Sequence, residues 1–356
     1  MPENSTAAVP LVIVGNPAIW HVGRHLGVAA ESLAVPVRIC NSDAAFEANP
    51  LLAKFNWWFR SHRPTHLSGF GEEVARACQE MGAGYLLTTG LAPVSERTLS
   101  SIGRAGVLRM NFLTDDPWNP QHTAHWFMDA LPRYDIVFTP RRANVEDLRR
   151  AGCAQVHYLP FAYAPDMHFP DPPANPGEEA KYSTDVFFGG GADADRVPYL
   201  TAMIQEGMSV ALYGGYWNRY PETRPSHRGS ASPEVLRKAA GGARISLCLV
   251  RRANRDGHAM RTFELAASGA CILAEDTEEH REILGPEGAV YFNSIPDMLE
   301  KAKALLSDEG RRHRLCLAVK ARISGGKNTY RDRLVEMLSA VRPRAAANDL
   351  EMTAQS

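Results

Sequence analysis

His258-Ala-Met-Arg-Thr-Phe-Glu-Leu-Ala-Ala-Ser-Gly-Ala-Cys-Ile-Leu-Ala-Glu-Asp276 carries the signals of a helix, a tight turn and a strand in succession. Phe263 and Ala267 recur at helical spacing and predict one apolar face of the helix. Gly269 stands where the end of a helix requires a positive φ. Residues 271–274 are apolar without alternation, which is typical of a parallel strand covered on both faces. The stretch therefore predicts one unit of an α/β fold.

Similar short apolar runs occur along most of the chain, and helical patterns lie between several of them. Strands that alternate with helices predict a parallel, doubly wound sheet. Helical patterns at residues 298–306, 311–323 and 330–341 close the series. The predicted strands are residues 11–14, 37–40, 85–88, 107–111, 136–138, 156–158, 185–188, 210–213, 245–250, 271–274 and 290–292.

A segment with five prolines interrupts this series between residues 161 and 181. Proline cannot continue a helix or donate a hydrogen bond within a central strand, so we interpret the segment as a linker. Two facing domains of this kind leave a cleft, and ligands of open α/β sheets bind beyond the carboxyl ends of the strands. The predicted organisation is a first Rossmann-like domain at 1–160, the proline-rich linker at 161–181, a second Rossmann-like domain at 182–325, a C-terminal helix at 326–342 and a flexible tail at 343–356.

The composition excludes several classes of protein. A hydrophobic share of 45% and a charged share of 22% are those of a folded globular protein. The formal net charge of −1, with both signs mixed, removes the electrostatic argument for nonspecific nucleic-acid binding. No apolar run approaches the roughly 20 residues that span a bilayer, and a signal peptide is not evident. The six cysteines form no C-x-x-C pair and predict reduced thiols in the cytoplasm.

Three consecutive glycines, Gly189, Gly190 and Gly191, follow the predicted strand 185–188. Glycine lets the backbone approach a ligand closely, and exposed N–H groups before a helix suit a phosphate. The alternative is a flexible turn. Tyr216, in a second glycine turn, has a ring that would either stack on a base or sugar or belong to the core.

The residues after strand 245–250 are the strongest candidates for binding an anionic ligand. Arg251 follows the strand directly, and Arg261 can form bidentate bonds to a diphosphate. Glu264 has two carboxylate oxygens that can accept hydrogen bonds from two ribose hydroxyls. The alternative is an ordinary solvated pair of Arg261 and Glu264, worth roughly 0.2–0.5 kcal/mol. Asp256 and His258 lie beside these residues; we take Asp256 as a candidate for donor binding and His258 as a candidate catalytic residue.

Two adjacent carboxylates, Asp115 and Asp116, follow the predicted strand 107–111 in the first half. They are candidates for a general base, although Asp116 before a proline is also a good helix N-cap. The Asp193-Ala-Asp195 motif could hold a metal bound to a diphosphate, but it fits the start of the next helix better. We therefore assign no metal site.

The second half resembles the nucleotide-binding domain of glycosyltransferases with the GT-B fold, and in particular the CgeB-like (spore-maturation-type) family. The resemblance covers roughly residues 105–335. The matching pieces are Asp185-Val-Phe-Phe-Gly-Gly190, Tyr213-Gly-Gly-Tyr-Trp217, Arg261-Thr-Phe-Glu-Leu-Ala-Ala-Ser-Gly-Ala270 and Asn328-Thr-Tyr-Arg-Asp-Arg333.

The resemblance implies an enzyme that moves a sugar from a nucleotide-diphosphate sugar to the hydroxyl of an unknown acceptor. It implies that Glu264 binds the donor ribose, that Arg261 lies near the diphosphate and that Gly189–Gly191 face its phosphates. No cofactor is expected besides the nucleotide-sugar co-substrate. Retaining relatives often carry two glutamates with seven residues between them, and Asp256 occupies the first of those positions here. We expect a retaining, metal-independent reaction of the hexosyltransferase type.

Three alternatives remain at this stage. A sugar-nucleotide epimerase shares the two-domain form and binds the same kind of donor. A non-catalytic member would bind a nucleotide sugar or a protein partner without turnover. A dehydrogenase is disfavoured, because the turn after strand 11–14 has no full G-x-G-x-x-G fingerprint.

Overall fold

The computed structural model describes residues 8–120, 123–255 and 257–341. Asp256 and the predicted tail at 343–356 therefore lie outside the described residues. The strands are β1 Leu11–Gly15, β2 Val37–Asn41, β3 Tyr85–Thr89, β4 Leu108–Phe112, β5 Ile136–Thr139, β6 Val156–Tyr158, β7 Thr184–Gly189, β8 Val210–Tyr213, β9 His227–Gly229, β10 Ala243–Cys248, β11 Ile272–Glu275 and β12 Ala289–Phe292.

Helices connect most of these strands, as crossover connections between parallel strands require. The α-helices are α1 Val22–Ser32, α2 Pro50–Phe59, α3 Leu67–Met81, α4 Glu96–Arg104, α5 His125–Met128, α6 Arg142–Arg150, α7 Pro176–Tyr182, α8 Val197–Gln205, α9 Pro233–Gly242, α10 Met260–Ala267, α11 Glu278–Leu284, α12 Ile295–Ser307, α13 Glu309–Gly325 and α14 Tyr330–Ala340.

The chain divides into two compact units, each with its own parallel sheet. The first unit comprises residues up to Pro160 and the residues from Tyr330 onward, and the second comprises Phe161–Thr329. In the described part of the chain, each sheet has six strands, in the orders β2-β1-β3-β4-β5-β6 and β12-β11-β10-β7-β8-β9. The expectation of an α/β fold with two Rossmann-like domains is confirmed.

The last helix of the described residues, α14, completes the first unit. α14 packs against α1, where the Tyr330 ring stacks on His25 with 4.8 Å between ring centroids. Arg333 donates a hydrogen bond from Nε to the Pro160 carbonyl at 2.8 Å. Leu334 and Met337 are fully buried. The C-terminal helix is thus part of the first unit.

The predicted helix, turn and strand at 258–276 appear as α10, Gly269 with φ +69° and β11. Among the elements that were not predicted are β9 and α7. β9 has only three residues and no apolar run. α7 lies inside the predicted linker, where Pro176 occupies the first helical turn and Asn175 caps the helix by accepting the Glu178 N–H at 3.0 Å. Proline is tolerated there because the first N–H groups of a helix have no intrahelical partner.

Candidate functional site

The strand order of the second sheet locates a ligand-binding edge. β7 is the first strand of this unit and lies beside β10, while β8 and β9 extend the sheet on the other side of β7. The order of strands reverses between β7 and β10. Such a switch point leaves a crevice at the carboxyl ends of the strands, where open α/β sheets bind their ligands. The glycine loop follows β7, and α10 lies in the connection after β10.

The glycine loop uses part of its own backbone for internal hydrogen bonds. The Gly190 N–H donates to the Tyr213 carbonyl at 2.8 Å, and the Ala192 N–H donates to the Gly215 carbonyl at 2.9 Å. Between them, the Gly191 N–H makes no hydrogen bond in the described part of the chain. In the predicted phosphate-binding loop, the Gly191 N–H is therefore the group that we expect to donate to a phosphate.

The two glycine turns at this edge touch each other closely. Gly214 has φ +132°, and a Cβ atom there would lie only 2.4 Å from the Gly190 oxygen. Trp217 is fully buried and donates its indole N–H to the same oxygen at 2.7 Å. Tyr216 is 56% exposed in a left-handed conformation, with the Arg219 guanidinium 4.2 Å from its ring centroid. Trp217 therefore belongs to the core, and Tyr216 presents its ring to solvent.

Arg196 and Arg261 contact the glycine loop, and Arg251 lies near Arg196. Arg196 donates to the Gly191 carbonyl at 3.2 Å, and its buried Nε has no hydrogen-bond partner among the described residues. Burial lowers the pKa of Arg196, Asp193 opposes this, and the Arg251 cation lowers that pKa further. Arg251 itself makes no hydrogen bond or ion pair within the described chain. Arg261 donates from Nε to the Gly189 carbonyl at 3.1 Å. This edge therefore concentrates positive charge.

Glu264 lies beside these cations. One carboxylate oxygen pairs with an Arg261 terminal nitrogen at 2.6 Å, and the other lies 3.7 Å from His168 Nε2. Only 8% of Glu264 is exposed, so the pair differs from the solvated i, i+3 pair that the sequence left open. A half-buried guanidinium beside a buried carboxylate can bind a phosphate and a hydroxyl next to each other.

His168 is a site residue that sequence reasoning missed. Its Nδ1 accepts the Ala164 N–H at 3.0 Å, which places the proton of the neutral ring on Nε2, toward Glu264. Burial lowers the pKa of His168, while Glu264 raises it and Arg261 lowers it. The residue lies in the proline-rich segment, which carried no motif. Its proximity to Glu264 was not visible from spacing.

His258 is buried in the second unit. Its Nε2 accepts the Phe161 N–H at 3.2 Å, and its ring meets the rings of Phe161 and Phe263 edge-on. The structure thus places this predicted catalytic histidine between α10 and the first residue of the unit.

A second histidine anchors the start of α10. The Ala259 N–H donates to Thr262 Oγ1, which lies 3.0 Å from His280 Nε2. His280 Nδ1 lies 2.7 Å from the Glu275 carbonyl, which can only accept, so Nδ1 carries the proton and Nε2 accepts from Thr262. Burial lowers the pKa of His280, which favours this neutral form. The network fixes the first turn of the helix that presents Arg261.

The Asp193-Ala-Asp195 motif opens the turn before α8. One Asp193 oxygen accepts the N–H groups of Asp195 and Arg196, at 3.1 and 2.9 Å, and Asp195 is exposed. Among the residues that the structure describes, no group of three or more His, Cys, Asp or Glu side chains could hold a metal ion.

The predicted carboxylates of the first unit follow β4. Asp116 is buried, and its Oδ1 accepts the Trp118 N–H at 3.0 Å, in a turn that the sequence anticipated as a cap. Asp115 is partly exposed and accepts the Thr114 hydroxyl at 3.2 Å. A Cβ at Gly90, which follows β3, would lie 3.9 Å from Asp115 Oδ2. Asp115 is therefore the more accessible carboxylate at the carboxyl edge of the first sheet.

Comparison with known proteins agrees with this architecture. Residues 197–339 match the sequence model of a family described as glycosyl transferase-like. No curated protein matches the chain significantly. Within the described residues, no helix has both the length and the apolar character needed to cross a membrane.

Solved structures match over nearly the whole chain. Sucrose-phosphate synthase from Thermosynechococcus elongatus is 13% identical with a TM-score of 0.68, covering 95% of this chain and 100% of that one. HepE from Anabaena, in complex with UDP and glucose, is 10% identical with a TM-score of 0.61, covering 94% and 100%. A UDP-N-acetylglucosamine 2-epimerase from Listeria monocytogenes, so named provisionally, is 12% identical with a TM-score of 0.59, covering 94% and 99%. The chain therefore has the GT-B fold, and its residues 197–339 carry the sequence pattern of a glycosyl transferase-like family.

Proposed function

We propose that the protein is a glycosyltransferase that uses a nucleotide-diphosphate sugar, bound at the carboxyl edge of the second sheet. The observation that carries this proposal is the set of basic side chains at the glycine loop, with Arg196 and Arg261 bonded to its carbonyls and Arg251 near Arg196, beside the buried Glu264 carboxylate. A nucleoside diphosphate presents phosphates and ribose hydroxyls side by side, and this edge offers matching groups for both. The match to a glycosyl transferase-like family covers Arg251, Arg261 and Glu264.

Arg251 is the cation most available to the diphosphate, because it has no carboxylate partner in the described chain. The Gly191 N–H adds a fixed dipole without a side chain in the way. These groups can neutralise the two phosphates, so we propose that a divalent metal is not required for donor binding. Binding that persists in excess EDTA would support this, and binding that disappears would contradict it.

Glu264 is proposed to hold the ribose. Its carboxylate would accept hydrogen bonds from ribose hydroxyls beside Arg261, with which it forms an ion pair. We propose Tyr216, with its exposed ring, as a stacking surface for the base. Asp256 lies outside the described residues and stays a proposed donor contact.

In the proposed reaction, the bond between the anomeric carbon and the phosphate oxygen breaks, and the oxygen keeps the electron pair. The acceptor oxygen bonds to the anomeric carbon, and its proton passes to the leaving phosphate. The arginines stabilise the charge that builds on the diphosphate. We propose retention of configuration, in which the leaving phosphate serves as the base. We assign neither Asp116 nor His258 as the base, because Asp116 Oδ1 and His258 Nε2 each accept a hydrogen bond from a backbone N–H group.

These contacts also change the proposed roles of the predicted catalytic residues. We propose that His258 positions α10 rather than transferring a proton, and that Asp116 shapes its loop. Asp115 stays as the candidate for contact with the acceptor at the carboxyl edge of the first sheet. We further propose the CgeB-like subfamily, a hexose donor and a cytoplasmic location. The location fits the six free cysteines, five of which are buried.

Thermal unfolding in the presence of a panel of nucleotide sugars tests the proposal. The true donor at about 100 times its Kd should add about 2.7 kcal/mol to the free energy of unfolding. Arg251→Gln should reduce that gain, while Arg314→Gln, at an exposed arginine of α13, should not. No stabilisation by any nucleotide sugar would contradict the donor site.

Product analysis separates transfer from epimerisation, which is the second candidate because an epimerase shares the fold. The donor that stabilises the protein is incubated without an acceptor and then with a panel of hydroxyl acceptors. Transfer predicts a glycoside only when the acceptor is present. A nucleotide sugar of inverted configuration without an acceptor would show epimerisation, and binding without any product would show a non-catalytic protein.

A further inference from the structure

One helix of the first unit turns its apolar side chains outward. In the described residues, Leu51, Phe59 and Trp58 of α2 are the three most exposed large apolar side chains, at 81%, 77% and 75%. Phe55 is also exposed and stacks on Phe59, with 5.5 Å between ring centroids. Their spacing of i, i+4, i+7 and i+8 places them on one helix face. Contiguous exposed apolar surface of this kind marks an interaction site.

Polar contacts hold α2 in this orientation. Asn56, on the opposite face, is buried and donates from Nδ2 to Thr65 Oγ1 at 3.0 Å. Ser61 and His62 follow the helix with φ of +51° and +57°, a conformation that non-glycine residues rarely adopt. Ser61 Oγ accepts the His125 N–H at 3.0 Å, and His62 Nδ1 donates to a carbonyl at 2.9 Å. The outward face is therefore a fixed feature of the unit.

The helix stands at the carboxyl edge of the first sheet. It lies in the connection between the end of β2 and the start of α3, and its following turn is bonded to residues 123–125, in the connection after β4. Trp20, in the connection after β1, is exposed at the same edge. This is the edge at which Asp115 lies.

The Lys, Arg, Asp and Glu residues of α2 and of the segment between α2 and α3 are all basic. No carboxylate residue occurs between Glu47 and Glu72, whereas Lys54, Arg60 and Arg63 lie in that interval and are exposed. The whole chain has a formal net charge of only −1, so the positive charge is concentrated locally. Aromatic and leucine side chains flanked by Lys and Arg are the composition of helices that lie in the headgroup region of anionic membranes.

We propose that the outward face of α2 binds the surface of an anionic lipid bilayer. Aromatic rings would enter the boundary between headgroups and acyl chains, and Lys54, Arg60 and Arg63 would contact lipid phosphates. A symmetric contact with a second copy fits less well, because it would bring like charges together. Peripheral binding needs no membrane-spanning helix. The proposal goes beyond the donor site and does not depend on it.

Flotation of the full-length protein with lipid vesicles tests the proposal. The protein should float with vesicles of phosphatidylcholine and phosphatidylglycerol, but not with phosphatidylcholine alone, and added salt should weaken the binding. Trp58→Ser and Phe59→Ser should each weaken binding about tenfold, because each removes an aromatic ring from the membrane boundary. Arg60→Glu should weaken binding to anionic vesicles as well.

Matched variants on α13 serve as controls, since Leu317 and Arg314 are exposed there. Leu317→Ser and Arg314→Glu should bind like the unaltered protein. All these positions are exposed, and unchanged thermal unfolding would verify that the variants fold. Failure to float with anionic vesicles, or equal binding by Trp58→Ser and Leu317→Ser, would overturn the proposal. A dimer that depends on Trp58, without vesicle binding, would show that a second copy is the partner.

Discussion

Glu264 is the residue on which the proposed donor site depends most. Its carboxylate is buried and lies next to both Arg261 and His168. A buried carboxylate is tolerated only when its oxygens are compensated. Arg261 compensates one oxygen at 2.6 Å, whereas His168 lies 3.7 Å from the other. These contacts hold the Glu264 carboxylate beside the Arg261 guanidinium, where we expect it to accept a ligand hydroxyl.

Replacing this carboxylate by an amide tests its role. Glu264→Gln should weaken the binding of the nucleoside diphosphate about tenfold, because a hydrogen bond to a charged group becomes a neutral one. Titration calorimetry with UDP, ADP and GDP would measure the effect, with the exposed Glu300→Gln as control. An unchanged Kd for the nucleotide that binds the unaltered protein would remove Glu264 from the site.

Buried neutral histidines predict a pH dependence of stability. Burial lowers the pKa of His280 and of His168 in the folded state below the usual value of 6.5. As the pH falls below about 6.5, the unfolded chain binds protons that the folded chain does not, so stability is lost toward acid. Each histidine contributes at most about 1.4 kcal/mol per pH unit.

Denaturant unfolding between pH 7.5 and 5.5, values chosen to bracket roughly the ordinary histidine pKa, measures this effect. His280→Gln should show a smaller loss of stability toward acid, although its stability at neutral pH is lower because the contacts with Thr262 and Glu275 change. An acid-induced loss identical to that of the unaltered protein would exclude His280 as a source.

At the scale of elements, the two glycine turns after β7 and β8 form one unit. Gly190 bonds to Tyr213, and Gly214 packs against the Gly190 oxygen closely enough to exclude a Cβ. The turn after β8 therefore supports the backbone on which the Gly191 N–H is presented. A change in one turn must displace the other.

Alanine substitutions at two neighbouring glycines test whether this packing matters, because only one of the two glycines contacts the Gly190 oxygen. Gly214→Ala combines an unfavourable φ of +132° with a 2.4 Å contact to the Gly190 oxygen, and should cost about 2 kcal/mol or more in the free energy of unfolding. It should also weaken nucleotide binding. Gly215→Ala has no neighbouring atom within 4 Å of its Cβ and should be nearly neutral. Equal effects in thermal unfolding would contradict the proposed support.

Most strands were predicted from the local pattern of apolar residues, and the exceptions among strands and helices have physical reasons. Eleven of the twelve strands in the described residues coincide with predicted apolar runs, because both faces of a central parallel strand are covered. β9 lies at the edge of its sheet, where an apolar run is not required. The periodicity of α2 would ordinarily indicate a face toward the core, and only the structure shows that this face points to solvent.

At the scale of the whole molecule, one unit is formed by a single stretch of the chain and the other by two separate stretches. The second unit comprises Phe161–Thr329 without interruption, whereas the first requires α14 from the end of the chain. The contacts of Tyr330 with His25 and of Arg333 with Pro160 show how α14 completes that unit. The two units should therefore respond differently to truncation.

We expect the fragment 161–329 to fold by itself and to unfold cooperatively. The fragment 1–160 should be unstable, because it lacks the side chains of α14 that fill its core. In the full chain, Met337→Ala should cost about 2–5 kcal/mol, since Met337 is fully buried, while the exposed Glu336→Ala should be nearly neutral. Circular dichroism during urea unfolding would measure each case. A 1–160 fragment as stable as the full chain would refute this assignment of α14.

The sequence by itself determined the α/β class, all the described strands except β9, the helix–turn–strand unit around Gly269 and the clustering of Arg261 and Glu264 on one helix. These features depend on residues a few positions apart, whose spacing is read directly from the chain. Only the tertiary structure decided that His168 faces Glu264, that His258 and Asp116 accept backbone N–H groups, and that α14 joins the first unit. Those contacts join residues that the fold, and not their spacing in the sequence, brings together.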